Sequence, residues 1–348
     1  MRTLASIQRI KSIEPIPGAD AIEKATVLGW NVVVKKGEFK VGDLCIYIEI
    51  DSLLPLRKEY AFLQSGGVKR MLHAGREVEG YRLKTVRLRG QISQGIAFPL
   101  GLFPSDLKVQ DIWEEGNDVT DKLGIIKYEP PVPEGMAGKM RGNFPSFIPK
   151  TDEPRIQAYP ELLERYQDVE FYVTEKLDGS SVTFYIMNDE FHVCSRNTDL
   201  FDTPDNLLWK VAKEMEIEKK LRDMGDNFAL QGELVGGKVQ GNPLKLTKPT
   251  IYFYNIYNIP QGRYLDYNGF VTLAHDHGIQ TVPVIDTEYR VPVAVDDIVT
   301  YAIRLSVINP LVFAEGIVLR PLSEMRDDKI GRLSFKVINP EFLLKDKS

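Results

Sequence analysis

Val173-Thr174-Glu175-Lys176-Leu177-Asp178-Gly179-Ser180-Ser181-Val182-Thr183 is the stretch on which the reading of this chain turns. Apolar residues alternate on both sides of an Asp-Gly pair, at Val173, Val182, Phe184 and Ile186, so the stretch reads as strand, loop, strand. A lysine flanked by two acids, Glu175 and Asp178, suits an amine that attacks an electrophile. Taken alone, the tetrapeptide Lys176-x-Asp178-Gly179 favours a plain surface hairpin with a salt-bridged lysine.

Five later segments change that balance. They are Ser195-Arg196-Asn197, Gly232-Glu233-Leu234-Val235-Gly236, Ile251-Tyr252-Phe253-Tyr254-Asn255-Ile256, Glu315-Gly316-Ile317-Val318-Leu319-Arg320 and Ser334-Phe335-Lys336. In this order the set resembles the motifs of the covalent nucleotidyltransferase superfamily, the polynucleotide ligases and RNA capping enzymes. The likeness spans roughly residues 143 to 348. Each motif is weak by itself; the ordered set is specific.

The 348 residues suffice for two domains, and 43% apolar residues supply ordinary cores. The sequence contains no run of about eighteen uncharged apolar residues. Its start, Met1 to Arg9, lacks the apolar run of a secretory signal, so a cytoplasmic protein is expected. Cys45 and Cys194 both sit in apolar, strand-like runs, which excludes a disulfide framework and a zinc cluster. His275-Asp276-His277-Gly278 ends a helical pattern, where basic side chains and a following glycine are favoured, and is not read as a metal site. A net charge of −5 argues against a general nucleic-acid coat, so any polynucleotide contact must come from local basic clusters.

Residues 1–125 read as short alternating strands, among them 30–35, 44–50, 86–88 and 96–99, separated by polar turns, which indicates a small barrel. Ile16 to Glu23 and Val86 to Ile96 resemble the OB-fold tRNA-binding modules appended to some aminoacyl-tRNA synthetases. Arg87 and Arg89 are the candidate RNA contacts there; the other reading is a basic edge that discourages strand pairing. Residues 126–150, dense in Pro and Gly around Pro130-Pro131-Val132-Pro133, are expected to form a connector. A helix is expected near 159–166, and a longer one from about Pro204 to Met224. Residues 151–348 would form the second domain. The fold class expected is therefore α+β: an OB-like β-barrel, then a nucleotidyltransferase domain of antiparallel sheets with flanking helices, of an ATP-grasp-like ligase kind.

The superfamily resemblance implies roles for particular residues. Lys176 matches the lysine that attacks the α-phosphorus of a nucleoside triphosphate. Asp178, Glu233 and Glu315 match the acids around the metal, Mg²⁺ or Mn²⁺, and the nucleotide; Glu233 could instead bind the ribose hydroxyls. Gly179 belongs to the lysine motif. Arg196 resembles a nucleotide-holding arginine and Lys336 the lysine on the α-phosphate. Tyr254 aligns with the aromatic that stacks on the base, leaving Phe253 for the core. Glu175 matches a position that reads the adenine amino group in T4-like RNA ligases, which favours ATP over GTP. Arg155 is assigned to the triphosphate or to the junction between modules, the other reading being a solvated charge before a helix. Where many ligases have Lys-x-Lys, this chain has Lys336-Val337-Ile338, with Arg332 as a candidate substitute cation.

The chain stops twelve residues after Lys336, where DNA ligases and capping enzymes continue into a C-terminal OB domain. An OB-like module placed first resembles instead the RNA ligase family with an N-terminal OB module. The expectation is an ATP-dependent RNA ligase, a monomer without a membrane segment, acting on RNA ends or nicks in repair. The other readings are a DNA ligase or guanylyltransferase of the same superfamily, or a non-catalytic RNA-binding protein.

Overall fold

The computed structural model describes residues 3–102, 113–129, 139–225, 227–237 and 239–345. It divides into two compact units: Met1–Pro131 with Gln157–Glu161 and Leu343–Ser348, and Val132–Ile156 with Leu162–Phe342. Residues 130–138, the heart of the expected connector, lie outside the described residues.

The first unit holds β1 (Ala5–Pro15), β2 (Ile22–Val27), β3 (Trp30–Lys35), β4 (Leu44–Ile48), β5 (Ser52–Leu54), β6 (Val68–His73), β7 (Arg76–Arg82), β8 (Val86–Leu88), β9 (Gln91–Ser93), β10 (Ile96–Pro99) and β11 (Ile126–Lys127). Strand β1 pairs with β4 through its first half and with β2 through its second. The register shifts between Ile10 and Ser12, and such a bulge bends a strand so that one sheet can curl around a core. Ile7, Ile10, Val27, Trp30, Ile46 and Ile48 fill that core, each at most 1% exposed. Tyr47 donates its hydroxyl to the Gln94 carbonyl at 2.8 Å, so the buried phenol keeps a partner. Arg87 lies on the β8–β9 hairpin, and Arg89 occupies its turn with φ 49°. Both are exposed.

The second unit holds β12 (Met140–Asn143), β13 (Phe171–Lys176), β14 (Ser180–Met187), β15 (Glu190–Cys194), β16 (Thr198–Leu200), β17 (Phe228–Val235), β18 (Thr250–Asn258), β19 (Arg263–Tyr264), β20 (Val284–Tyr289), β21 (Gly316–Pro321), β22 (Arg326–Asp327), β23 (Gly331–Arg332) and β24 (Phe335–Ile338). A seven-stranded sheet runs β12-β16-β15-β14-β17-β18-β19, and a four-stranded sheet runs β20-β13-β21-β24. Every pairing in both is antiparallel. Strands β11 and β12 fall inside the stretch expected as connector, so part of that stretch is built into sheets.

Alternation decides the faces of the large sheet. Val182, Phe184, Leu230 and Phe253 point to one side, beneath helices Leu207–Glu214 and Ile217–Met224. Asn206 starts the first helix by accepting from the Leu208 and Trp209 amides at 2.9 and 3.3 Å, a cap worth about 1 kcal/mol. The single long helix expected over Pro204 to Met224 is thus two helices. Glu216, at φ 52°, adopts the left-handed conformation between them, and both helices lay apolar residues, Leu208 and Val211, then Ile217 and Leu221, against the sheet. Helix Glu161–Arg165 stands where one was expected near 159–166, and His275 to His277 close helix Tyr267–Asp276.

Candidate active site

Leu177, Asp178 and Gly179 carry the chain from β13 of the small sheet into β14 of the large one. The motif lysine therefore stands where two sheets meet, walled by the ends of both. Gly179 is required there: a Cβ at this position would lie 2.2 Å from the Leu234 carbonyl oxygen on β17. Gly316 has the same constraint against the Val337 carbonyl oxygen, also at 2.2 Å. Both glycines let neighbouring strands close up beside the lysine.

Lys176 Nζ donates to Glu315 Oε2 at 2.6 Å. Register makes this contact, because Lys176 pairs with Gly316, the residue after Glu315. Burial pushes the Lys176 amine down, but Glu315, then Glu233 and Asp178, more than offset it, and the pKa ends above its ordinary value. Glu233 is pushed up to about 8, first by burial, with Glu315, Asp178 and Glu153 adding to it against the pull of Lys176. Burial, more than the neighbouring acids, is what disfavours the charged form of Glu233. Among the described residues no three His, Cys, Asp or Glu side chains are set to ligate one metal ion directly. The expected trio of Asp178, Glu233 and Glu315 surrounds the lysine electrostatically without forming a closed ligand set.

Lys336 on β24 stands on the same small sheet as Lys176, with β21 between their strands. Its Nζ lies 3.2 Å from Asp152 Oδ1, and its backbone amide donates to the Pro154 carbonyl at 2.8 Å. Burial, together with Lys176 and Arg155, outweighs the pull of Asp152 and Glu153 and lowers this amine to about 8. Arg155 forms a parallel bridge with Lys336 and is 8% exposed, which removes the reading of it as a solvated charge before a helix. Arg196 joins the same group through Asp152 Oδ2 at 3.1 Å.

Tyr254 donates to or accepts from Thr151 Oγ1 at 3.0 Å and Ser181 Oγ at 3.3 Å, while Phe253 is fully buried in the core. Glu175 leaves β13 on the other side from Lys176; its Oε2 accepts from the Val307 amide at 2.8 Å. Its Oε1 is buried with no hydrogen-bond partner among the described residues, and burial raises its pKa. Arg332 is not a second cation beside Lys336. It belongs to the separate β22–β23 ladder, is held by Glu324 and by Asn255 at 2.9 Å, and covers the Tyr264 ring at 3.7 Å.

Sequence reasoning missed one element of this site. Arg320, 2% exposed, donates to Glu153 Oε1 at 2.9 Å, and Ser334 Oγ reaches the same oxygen at 3.4 Å. This buried pair anchors residues 151–155, which bring Asp152 and Arg155 to Lys336. The available signal was a lone arginine in the apolar run Ile317 to Pro321, since a buried charge nearly always has a partner.

A lysine at the meeting of two antiparallel sheets, enclosed by acids and accompanied on its own sheet by a second lysine bridged to an arginine, is the arrangement of a covalent nucleotidyltransferase. Comparison with known proteins narrows the class. A family described as OB-fold domain matches residues 4–100, and one described as RNA ligase matches residues 169–338. No protein with a curated description matches the chain significantly. Among solved structures, the Naegleria gruberi RNA ligase with PPi is 37% identical with a TM-score of 0.88, over 100% of this chain and 99% of that one. A lysine-to-alanine variant of that ligase with ATP and Mn is 36% identical with a TM-score of 0.88, over 99% of each chain. An arginine-to-alanine variant with ATP and Mn is 37% identical with a TM-score of 0.85, over 99% of each. This chain belongs to the RNA ligase family, with the OB fold first and the antiparallel ligase domain after it, as expected from the motif order.

Proposed function

We propose that this chain seals RNA in repair, joining a 3′-hydroxyl to a 5′-phosphate with ATP as the nucleotide. The carrying observation is the 2.6 Å contact of Lys176 with Glu315 inside the field of Glu233 and Asp178. Once Lys176 has given up one ammonium proton to solvent, its Nζ attacks the α-phosphorus, the bond to the β-phosphate oxygen breaks so that pyrophosphate leaves, and a second N–H proton passes to solvent to give the phosphoramidate. The RNA 5′-phosphate then displaces the lysine from the adenylate, and the 3′-hydroxyl displaces AMP from the RNA-adenylate. Glu315 aims the amine. Lys336 and Arg155 meet the α-phosphate and triphosphate, with Arg196 beside them. Burial lowers the Lys336 amine to about 8.

Tyr254 is assigned to the base. The unpartnered Glu175 Oε1 suits an exocyclic amino group, which adenine presents, and so supports ATP over GTP. Variants of the Naegleria ligase replace a lysine, an aspartate two positions on and a glutamate at the same spacing as Lys176, Asp178 and Glu233, which supports these three as working residues. The three carboxylates whose field acts on Lys176 suit a divalent cation, Mg²⁺ or Mn²⁺, which would be held through one or two of Asp178, Glu233 and Glu315 with waters as the remaining ligands. Its positive charge would offset the carboxylate field that keeps Lys176 protonated and would stabilise charge growing on the phosphate.

The two buried free cysteines agree with a cytoplasmic setting, and no helix among the described residues is long and apolar enough to cross a membrane. A monomer is the working assembly. The test is incubation with α-labelled ATP or GTP and Mg²⁺, denaturing electrophoresis and peptide mapping. Label from ATP on Lys176, absent in Lys176→Ala, is expected. Label elsewhere, or from GTP in preference, overturns the reading in favour of another mechanism or a guanylyltransferase. No label at all favours a non-catalytic RNA-binding protein.

A further inference from the structure

We propose that the edge of the large sheet at β12, with residues 144–150 that follow it, is a track for a single RNA strand running towards Lys176. The inference rests on the RNA-sealing reading above. Two exposed aromatic rings, one at this edge and one on the segment that crosses the sheet face from it, lie in company with two lysines. Phe201, 43% exposed, donates its amide to the Lys139 carbonyl at 2.8 Å, and the Lys139 ammonium stands 5.6 Å from its ring centre. Further along, the Phe144 amide donates to the Asn197 carbonyl at 3.0 Å. The Lys150 ammonium lies 5.7 Å from the Phe144 ring centre and donates to Asn197 Oδ1 at 2.8 Å. Phe147, 39% exposed, makes a T-shaped contact with Tyr185 at 5.6 Å between ring centres, which holds its ring while leaving part of the side chain open to solvent.

Charge separates this strip from the rest of a chain that is −5 overall. The nearby acids are already engaged: Asp202 by Lys213, Glu190 by Arg141, and Asp152 by Arg196 and Lys336. Among the described residues no carboxylate lies within ion-pair reach of Lys139 or Lys150. Two lysines held near aromatic rings, beside two aromatic side chains partly open to solvent, match the repeating phosphate and base of single-stranded nucleic acid. A partner that was merely apolar would gain nothing from the lysines.

The strip is also continuous with the chemistry. Gln231 of β17 donates to the Pro149 carbonyl at 2.8 Å and pins the segment to the sheet face. The next residues are Thr151, on Tyr254, and Asp152, on Lys336. Bases stacked on Phe201 and Phe147, with phosphates on Lys139 and Lys150, would place a strand end beside the adenylated lysine.

The test uses the full-length protein, a single-stranded RNA oligonucleotide with a 3′-hydroxyl, and fluorescence anisotropy across a salt series. Phe147→Leu and Phe201→Leu keep apolar packing and remove the aromatic face; each is expected to weaken binding at least about fivefold. Lys139→Ala with Lys150→Ala should lower the slope of log affinity against log salt by about 1.4 in total. All variants should retain wild-type lysine adenylation, and all should seal pre-adenylated RNA more slowly. Unchanged affinity and slope with adenylation intact would overturn the track. Adenylation falling in step with binding would also overturn it, by assigning the surface to ATP or to folding. A wild-type protein that never adenylates would instead refute the RNA-sealing reading itself.

Discussion

Replacing Glu153 with glutamine tests whether the buried Arg320 pair holds the phosphate side of the site in place. The Glu153 carboxyl is lowered from 4.5 to about 2: burial raises it, but Arg320, then Lys336, its own backbone amide and Arg332 pull it further down. That difference, at about 1.4 kcal/mol per pKa unit, corresponds to about 3 kcal/mol of stability. Breaking a buried pair by removing one partner costs about 3–5 kcal/mol on independent grounds, because the remaining charge is stranded, and here Arg320 is 2% exposed. A depressed acid stabilises the fold fully above 4.5 and loses that contribution as pH falls towards 2. Urea unfolding from pH 7 to pH 3, followed by Trp fluorescence, is the assay. Glu153→Gln should lower the midpoint at pH 7 without changing the denaturant slope, and should flatten the acid limb. Replacing Glu153 and Arg320 together by methionine should recover much of the loss. If Glu153→Gln lies within about 0.5 kcal/mol of wild type at pH 7, a change typical of ordinary surface sites, the pair does not anchor residues 151–155.

Three further outcomes are expected. Asp178→Ala, Glu233→Ala and Glu315→Ala should each depress ligation by about 10²–10³, equivalent to about 2.7–4 kcal/mol of barrier, in steady-state sealing assays on folded protein; near-native rates in Glu315→Ala would contradict the contact with Lys176. Arg155→Ala should raise the ATP concentration needed for half-maximal adenylation, measured by labelled-AMP transfer, and a profile matching wild type would remove Arg155 from the triphosphate. Neutralising Arg87 and Arg89 should weaken RNA binding and reduce its salt slope by roughly one unit per lost phosphate contact. In that pair, slower self-adenylation with unchanged RNA affinity would move the barrel's role to the pyrophosphate end of ATP.

Much of the fold was legible because it is written in short-range patterns. Alternation at Val182, Phe184 and Ile186 specified a strand, and these three are buried; Thr183 and Tyr185 between them are buried as well, because the other face of the sheet is also covered. Phe253 was assignable to the core and Tyr254 to the other face by the same parity. The break at Glu216 was not legible, since nothing in the helical pattern demanded a left-handed residue there. Long β1, which joins two parts of the barrel, also escaped notice, because its bulge is visible only against its partners.

Residue types and their order, by themselves, determined the class of chemistry: a lysine, three acids and a last-motif lysine in sequence. Which acid meets the lysine was settled only by the antiparallel register of β13 on β21, which joins residues 139 positions apart. The bridging of Lys336 by Asp152, across 184 positions, and of Arg320 by Glu153, across 167, likewise came from strand pairing and burial. The physical reason is that hydrophobic period and turn chemistry act over a few residues, whereas the field at a buried charge is set by whatever distant strands the core brings beside it.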